Sequence, residues 1–262
     1  MEKKKSNIHG ILSSDWSECL SPSGPFDFIA FNFPQLEPRL NDIFYSYTGN
    51  RISLGEAGLR VKKILPEPVT TDMMDAYLDK AFAVYRGVPE LIEWCLSHSI
   101  LFMINTTAMI GYFQRVFAKG LLPRVPVLSA NPLLRYAASG TDPGDVYELN
   151  ETRDKGKNTA AVVRQFGIPA GRIVVMGDSG GDGPHLEWAA QAGAFIIGSM
   201  TKHSLSSYCR DRDIPIRLRF GVSYGEGEER DLEKEKRFDF MDLVEPLQAI
   251  LKRYAATEIS LP

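Results

Sequence analysis

The stretch Ile173-Val174-Val175-Met176-Gly177-Asp178-Ser179-Gly180-Gly181-Asp182 constrains the chain most, because an apolar run breaks into glycines carrying two carboxylates four residues apart. Four large apolar residues without polar alternation suit a strand covered on both faces. The glycines permit a tight turn with the backbone close to a ligand. Gly183-Pro184, followed by His185-Leu186-Glu187-Trp188-Ala189-Ala190, predicts a helix with proline in its first turn. Two acids at the carboxyl end of such a strand face the crevice in which open α/β sheets bind ligands, and hard oxygens there suit Mg²⁺.

The six residues from Gly177 to Asp182 differ only at the last from the segment around the nucleophile of trypsin-like proteases. That fold is all-β and secreted, usually carries disulfides, and needs a histidine and an aspartate elsewhere. The strand-turn-helix pattern here is of another kind, and none of the four histidines sits in a matching segment. The protease reading is set aside.

At 262 residues the chain can hold one large domain with an insertion, or two small ones, and 44% hydrophobic with 24% charged residues is ordinary for a soluble globular protein. A net charge of −3 leaves no basic excess for nucleic acid or anionic membranes. Cys19, Cys95 and Cys209 are odd in number and no pair has CxxC spacing, which predicts reduced thiols in a cytoplasmic protein. The basic start Met1-Glu2-Lys3-Lys4-Lys5 is followed by an apolar stretch of only about residues 8–12, too short for a signal peptide, and no run approaches a membrane span.

Residues 8–12 read as a first core strand ending in Ser13-Ser14-Asp15, so it too delivers a carboxylate at its carboxyl end. Taken alone, Asp15 reads as a turn or cap residue before it reads as a nucleophile. Pro22, Pro25, Pro34 and Pro38 make the next stretch irregular, after which Leu40, Ile43, Phe44 and Tyr47 recur at helical spacing until Gly49-Asn50 breaks the pattern. Ser53-Leu54-Gly55-Glu56 predicts a capping box opening a second helix, and Thr71 or Asp72 a cap for a third. These helices predict a cap over residues 21–85, inserted into a core of residues 1–20 and 86–262; a subdomain that only adds core has the same periodicity.

Residues 100–104 read as a strand ending in Asn105-Thr106-Thr107, whose amide and hydroxyls can donate to a phosphate oxygen or cap the helix expected from residue 108. Residues 125–128 read as another strand, and 131–150 as an excursion marked by turns. Asp154-Lys155-Gly156-Lys157 begins a helix stopped by Gly167, and a lysine at a helix start runs against the dipole preference. Residues 194–197 read as the last parallel strand, 202–213 stay unassigned, and 216–224 suit a strand. Residues 226–237 read as a solvated charge run, and Leu243, Leu247, Ile250, Leu251 and Tyr254 as the stripe of a closing helix.

Short apolar strands alternating with amphipathic helices predict an α/β fold, a doubly wound parallel sheet, with a small helical cap. With Asp15, Asn105-Thr106, Lys155, and Asp178 with Asp182 in this order, the chain resembles the haloacid dehalogenase (HAD) superfamily of hydrolases. That superfamily's motifs are a D-x-D-x-T strand end, a strand-terminal Ser/Thr, a lysine and a GD-x-x-x-D strand end. The segment from Lys155-Gly156 through Gly167-Ile168 to Gly177-Asp178-Ser179 is the most specific part. The insertion is similar to the C1-type cap of the phosphoserine-phosphatase-like branch. The resemblance implies a Rossmannoid core and a Mg²⁺-dependent phosphatase acting on a small phosphorylated metabolite, with Asp15 as nucleophile. It also implies phosphate binding by Lys155 and by Thr106 or Asn105, and metal held by Asp15, the Ser17 carbonyl, Asp178 and Asp182.

Motif I departs from the pattern, at Ser17 and again where Glu18 and Cys19 replace the usual Gly-Thr. The second motif I aspartate, which protonates the leaving oxygen in the family's phosphatases, is Ser17 here, and a serine hydroxyl is a poor acid or base at neutral pH. Three expectations follow: a phosphatase that borrows its acid from Glu18 or a cap residue, a phosphonatase-like C–P hydrolase, or a catalytically weak pseudo-phosphatase that binds a phospho-ligand. The phosphonatase reading needs a cap lysine, for which Lys62 and Lys63 are the nearby candidates.

Overall fold

A computed structural model describes residues 8–49 and 51–258, with the side chains of 252–258 excepted. Met1-Glu2-Lys3-Lys4-Lys5, Asn50 and the Tyr254 side chain lie outside the described residues. The first strand, β1 (Gly10–Ser14), leads through four helices, α1 (Asp27–Asn32), α2 (Glu37–Thr48), α3 (Leu54–Ile64) and α4 (Thr71–Ala81). There follow α5 (Val88–Ser97), β2 (Ile100–Met109), α6 (Ile110–Ala118), β3 (Val127–Asn131), β4 (Asp145–Glu148), α7 (Asp154–Phe166) and β5 (Ile173–Gly177). Then come α8 (Gly183–Gln191), β6 (Phe195–Thr201), α9 (His203–Arg210), β7 (Leu218–Ser223), α10 (Leu232–Glu235) and α11 (Val244–Glu258).

The seven strands form one parallel sheet in the order β4-β3-β2-β1-β5-β6-β7, with β1 at its centre. Apolar residues on alternate positions feed two layers. Leu12, Phe102, Ile104, Val174 and Met176 join the layer that α1–α6 also enter. Ile11, Leu101, Met103, Ile173 and Val175 join the other, beneath α7, α8 and α9. Parallel strands covered on both faces explain why the central runs carry no polar alternation. The doubly wound α/β sheet is therefore as expected.

Local boundaries differ in instructive ways. Ser53 accepts from Glu56 N at 3.1 Å, but the Glu56 carboxylate turns to Arg60, so only half of the expected capping box forms. The cap of α4 is Thr70, whose hydroxyl accepts from Met73 N, rather than Thr71 or Asp72. The strand expected at 100–104 runs on to Met109, with a register irregularity against β3 between Asn105 and Met109, so Asn105-Thr106-Thr107 lies in a strand and caps no helix. The edge strand β4 was masked by its short, half-exposed sequence of turn-like acids. β6 is not the last parallel strand, because β7 pairs beyond it.

Candidate active site

The strand ends and helix starts that carry the predicted residues meet along one edge of the sheet. β1 delivers Asp15 and Ser17, β5 delivers Asp178, the turn after it delivers Asp182, and the first turn of α7 delivers Lys155. Gly177 permits the crowding, since a Cβ there would stand 2.7 Å from Asp182 Cβ. Gly156 does the same for the helices, because its Cβ would meet Trp188 Cβ at 2.8 Å, and the close approach of α7 to α8 sets the height of Lys155.

Lys155, only 2% exposed, donates from Nζ to Asp15 Oδ1 at 2.7 Å and to Asp182 Oδ1 at 2.5 Å. The other oxygen of Asp182 accepts from the backbone N–H groups of Asp178 and Ser179 at 3.0 and 3.2 Å. Burial pushes the Asp182 carboxyl up, but the Lys155 charge and these donors outweigh it and hold the group below the usual carboxylate range. Asp15 is raised, chiefly by burial, with Lys155 opposing and the Asp182 charge adding.

Asp178 is the least satisfied of the three. Its Oδ2 forms an ion pair with Lys202 Nζ at 2.9 Å, while Oδ1 has no hydrogen-bond partner among the described residues. Burial drives its carboxyl well above the usual range, offset by Lys202 and reinforced by Asp182 and Asp15. One oxygen from each of Asp15, Asp178 and Asp182 lies within 4.8 Å of the other two. A buried carboxylate oxygen left without a donor, beside two further carboxylates, fits a hard divalent cation such as Mg²⁺.

Asn105 and Thr106 are not brought to the hollow. The Asn105 amide donates to the Lys155 carbonyl and to Thr159 Oγ1, both at 2.9 Å, and so ties β2 to α7. Thr106 is fully buried, with its hydroxyl accepting from Ala108 N at 3.2 Å. Of the residues at this end of β2, the one that lines the hollow with Asp15, Ser17 and Lys155 is Thr107. The irregularity of β2 past Asn105 explains the difference in placement, because a strict strand count cannot anticipate it. Ser17 lines the hollow and its Oγ has no partner among the described residues. Lys62 and Lys63 are solvent-exposed on α3 and line no part of it.

Comparison with solved structures finds the same arrangement of chain. A substrate-bound phosphoserine phosphatase superposes with a TM-score of 0.64 at 15% identity, over 93% of this chain and 99% of that one. A phospho-aspartyl intermediate analogue of phosphoserine phosphatase gives 0.62 at 13% identity, over 91% and 99%. The fold is HAD-like, of the phosphoserine-phosphatase type. A HAD family hydrolase from Salmonella enterica serovar Typhi shares this HAD-like fold at a TM-score of 0.57 and 14% identity, over 83% of this chain and 68% of that one. No family model and no curated protein matches the sequence.

Around the hollow stand Glu18, named from the sequence as a candidate acid, and residues that sequence reasoning passed over. Lys202, at the end of β6, pairs with both Asp178 and Glu18. Glu18 sits in the left-handed region, with φ 60°, and is also bonded by Arg230 Nη1 at 2.8 Å. Burial raises its carboxyl, yet Lys202 and Arg230 outweigh burial and keep it ionised, so it is no reservoir of protons. Arg230 and Glu235, expected to be solvated, form a network with Tyr85 and Tyr224 in which Glu235 is fully buried. Tyr47 and Phe44 of α2 also line the hollow. The only signal for Lys202 is its place just past a strand end next to β5.

Proposed function

We propose that the chain is a Mg²⁺-dependent phosphoric monoester hydrolase acting on a small phosphorylated metabolite. The observation that carries this reading is the bridge from Lys155 to Asp15 and Asp182, beside an Asp178 oxygen that lacks a donor. Asp15 attacks phosphorus, the alcohol leaves, and water then hydrolyses the aspartyl-phosphate, which splits one difficult displacement into two. Lys155 orients the Asp15 carboxylate and offsets the charge on the phosphoryl oxygens, to which the Thr107 hydroxyl is positioned to donate. Asp15 and Asp178 would hold Mg²⁺, with Asp182 and the Ser17 carbonyl in support, and the bound ion would add Lewis-acid stabilisation of that charge.

The rest of the substrate fits a cleft of about 630 Å³ that opens from the hollow past Phe44, Thr48, Ser179 and Lys202. Residues 21–85, as a cap, would shape it through α2. Three buried free cysteines support a cytoplasmic setting, and among the described residues no helix is long and apolar enough to cross a membrane.

A second reading is favoured by one feature. Ser17 stands at the position of the usual acid, which supports a weak, phospho-ligand-binding protein instead. Mg²⁺-dependent phosphate release from a panel of phosphomonoesters separates the two. Strong release by the natural protein, abolished in Asp15→Asn, is the expected result. Release only after Ser17→Asp would establish the binder.

A further inference from the structure

How many oxygens a metal can take from the three carboxylates depends on the groups already seated on them. Asp15 Oδ1 and Asp182 Oδ1 both accept from Lys155, and Asp182 Oδ2 accepts from two backbone N–H groups. Neither acid can turn both oxygens to one ion without losing such a bond. Asp178 is different. Its carboxylate is 1% exposed, and Oδ1 has no partner among the described residues. At Oδ2 stands the Lys202 ammonium, an ion pair at 2.9 Å without the alignment of a hydrogen bond. Among the described residues, Lys202 is what stands between Asp178 and coordination through both oxygens.

We propose that Lys202 sets the metal selectivity of the hollow, keeping Asp178 to a single coordinating oxygen and so favouring Mg²⁺ over Ca²⁺; this rests on the Mg²⁺ reading above. Mg²⁺ takes six ligands in a strict octahedron at about 2.0–2.1 Å, a geometry met by one oxygen from each carboxylate. Ca²⁺ takes up to about eight oxygens at about 2.3–2.6 Å and commonly gains them from carboxylates that bind through both. Covering Oδ2 therefore removes a ligand that Ca²⁺ would use and Mg²⁺ would not. Lys202 is also held from its other side. β6 pairs with β5 in a register that sets Gly198 beside Gly177, which carries the residue after β6 past the end of β5, and Lys202 N donates to the Asp178 carbonyl at 2.8 Å. The ammonium is bonded to the Glu18 carboxylate, which accepts from Arg230 Nη1 at 2.8 Å, and it lies 5.8 Å from the centre of the Phe44 ring. Glu18 reaches it with φ 60°, a left-handed conformation that a residue other than glycine keeps only where its surroundings fix it. A cation at Asp178 Oδ1 leaves this anchor intact.

Calorimetric titration of Mg²⁺ and of Ca²⁺ into the natural protein and into Lys202→Met tests this without any substrate. An ammonium repels the two dications alike, so its loss raises both affinities, and the ratio between them reads the number of oxygens that Asp178 offers. In Lys202→Met the ratio is expected to move toward Ca²⁺ by about tenfold or more. Affinities that rise equally, or not at all, overturn the proposal. A second measurement needs no variant. In crystals of the natural protein soaked with Ca²⁺, Asp178 should meet the ion through Oδ1 alone, with Lys202 still between Oδ2 and Glu18. An Asp178 bound through both oxygens, with Lys202 displaced, overturns the proposal even where Lys202→Met does not fold. If the natural protein binds Mg²⁺ but the ratio stays put in Lys202→Met, only Lys202 is wrongly assigned. If it binds neither ion, the Mg²⁺ reading fails and takes this one with it.

Discussion

At the scale of single residues, the site depends on side chains held closer than ordinary packing allows. Gly177 is one hinge of that geometry. In Gly177→Ala the new methyl would stand 2.7 Å from Asp182 Cβ and 2.8 Å from its Oδ2, and neither neighbour is the free end of a flexible chain. Overpacking of this kind costs about 1–3 kcal/mol. The expected outcome is a lower urea midpoint together with slower phosphate release, since Asp182 must move and Lys155 with it. An unchanged midpoint would show that the turn relaxes freely. The residues most legible beforehand, Asp15, Lys155, Asp178 and Asp182, each stand where a strand ends or a helix begins. Past Asn105 β2 is irregular, and it is Thr107, not Thr106, that comes to line the hollow.

At the scale of elements, the segment from β7 to α10 does more than its charge pattern indicated. Arg230 donates to both Glu235 oxygens, to Tyr85 and to the Pro22 carbonyl, and through Glu18 it reaches Lys202 at the hollow. This chain of ion pairs fastens the loop after β1 to the loop after β7. Removing one partner of a buried pair costs about 3–5 kcal/mol, and the 21% exposure of Arg230 places Glu235→Gln toward the lower end of that range. Calorimetry should show a fall in melting temperature of several degrees, and no fall would mean that water already satisfies Arg230. Alternating charge in residues 226–237 reads the same whether it is solvated or folded inward, so no local pattern could have revealed this network.

At the scale of the whole molecule, a sheet with β1 at its centre buries the groups beneath the site and makes stability depend on pH. His185, fully buried between α7 and the sheet, is lowered to about 3 by burial first and the Lys155 charge second. Its folded value lies below its unfolded one of about 6.5, so between the two the unfolded chain binds more protons. The stability due to its neutrality is therefore whole above pH 6.5 and is lost as pH falls below it, with a slope approaching about 1.4 kcal/mol per pH unit. Asp15 and Asp178, raised on folding, act in the opposite sense. The difference between the natural protein and His185→Gln therefore carries the test, with urea unfolding followed from pH 8 to 4.5. Parallel curves would refute the assignment.

The amino-acid order by itself determined the class of fold and the meeting of Asp15, Asp178 and Asp182. Uninterrupted apolar runs require strands covered on both faces, and polar residues at their carboxyl ends must then gather at one edge of a parallel sheet. What only the tertiary structure decided depends on contacts between distant segments: the placing of Thr107 and Tyr47 at the hollow, the clamping of Lys202 by Asp178 and Glu18, and the inward turn of Glu235. Periodicity reports which face of an element is apolar, whereas the partner a polar side chain finds across the crevice is fixed by register, bulge and helix approach, which no local pattern contains.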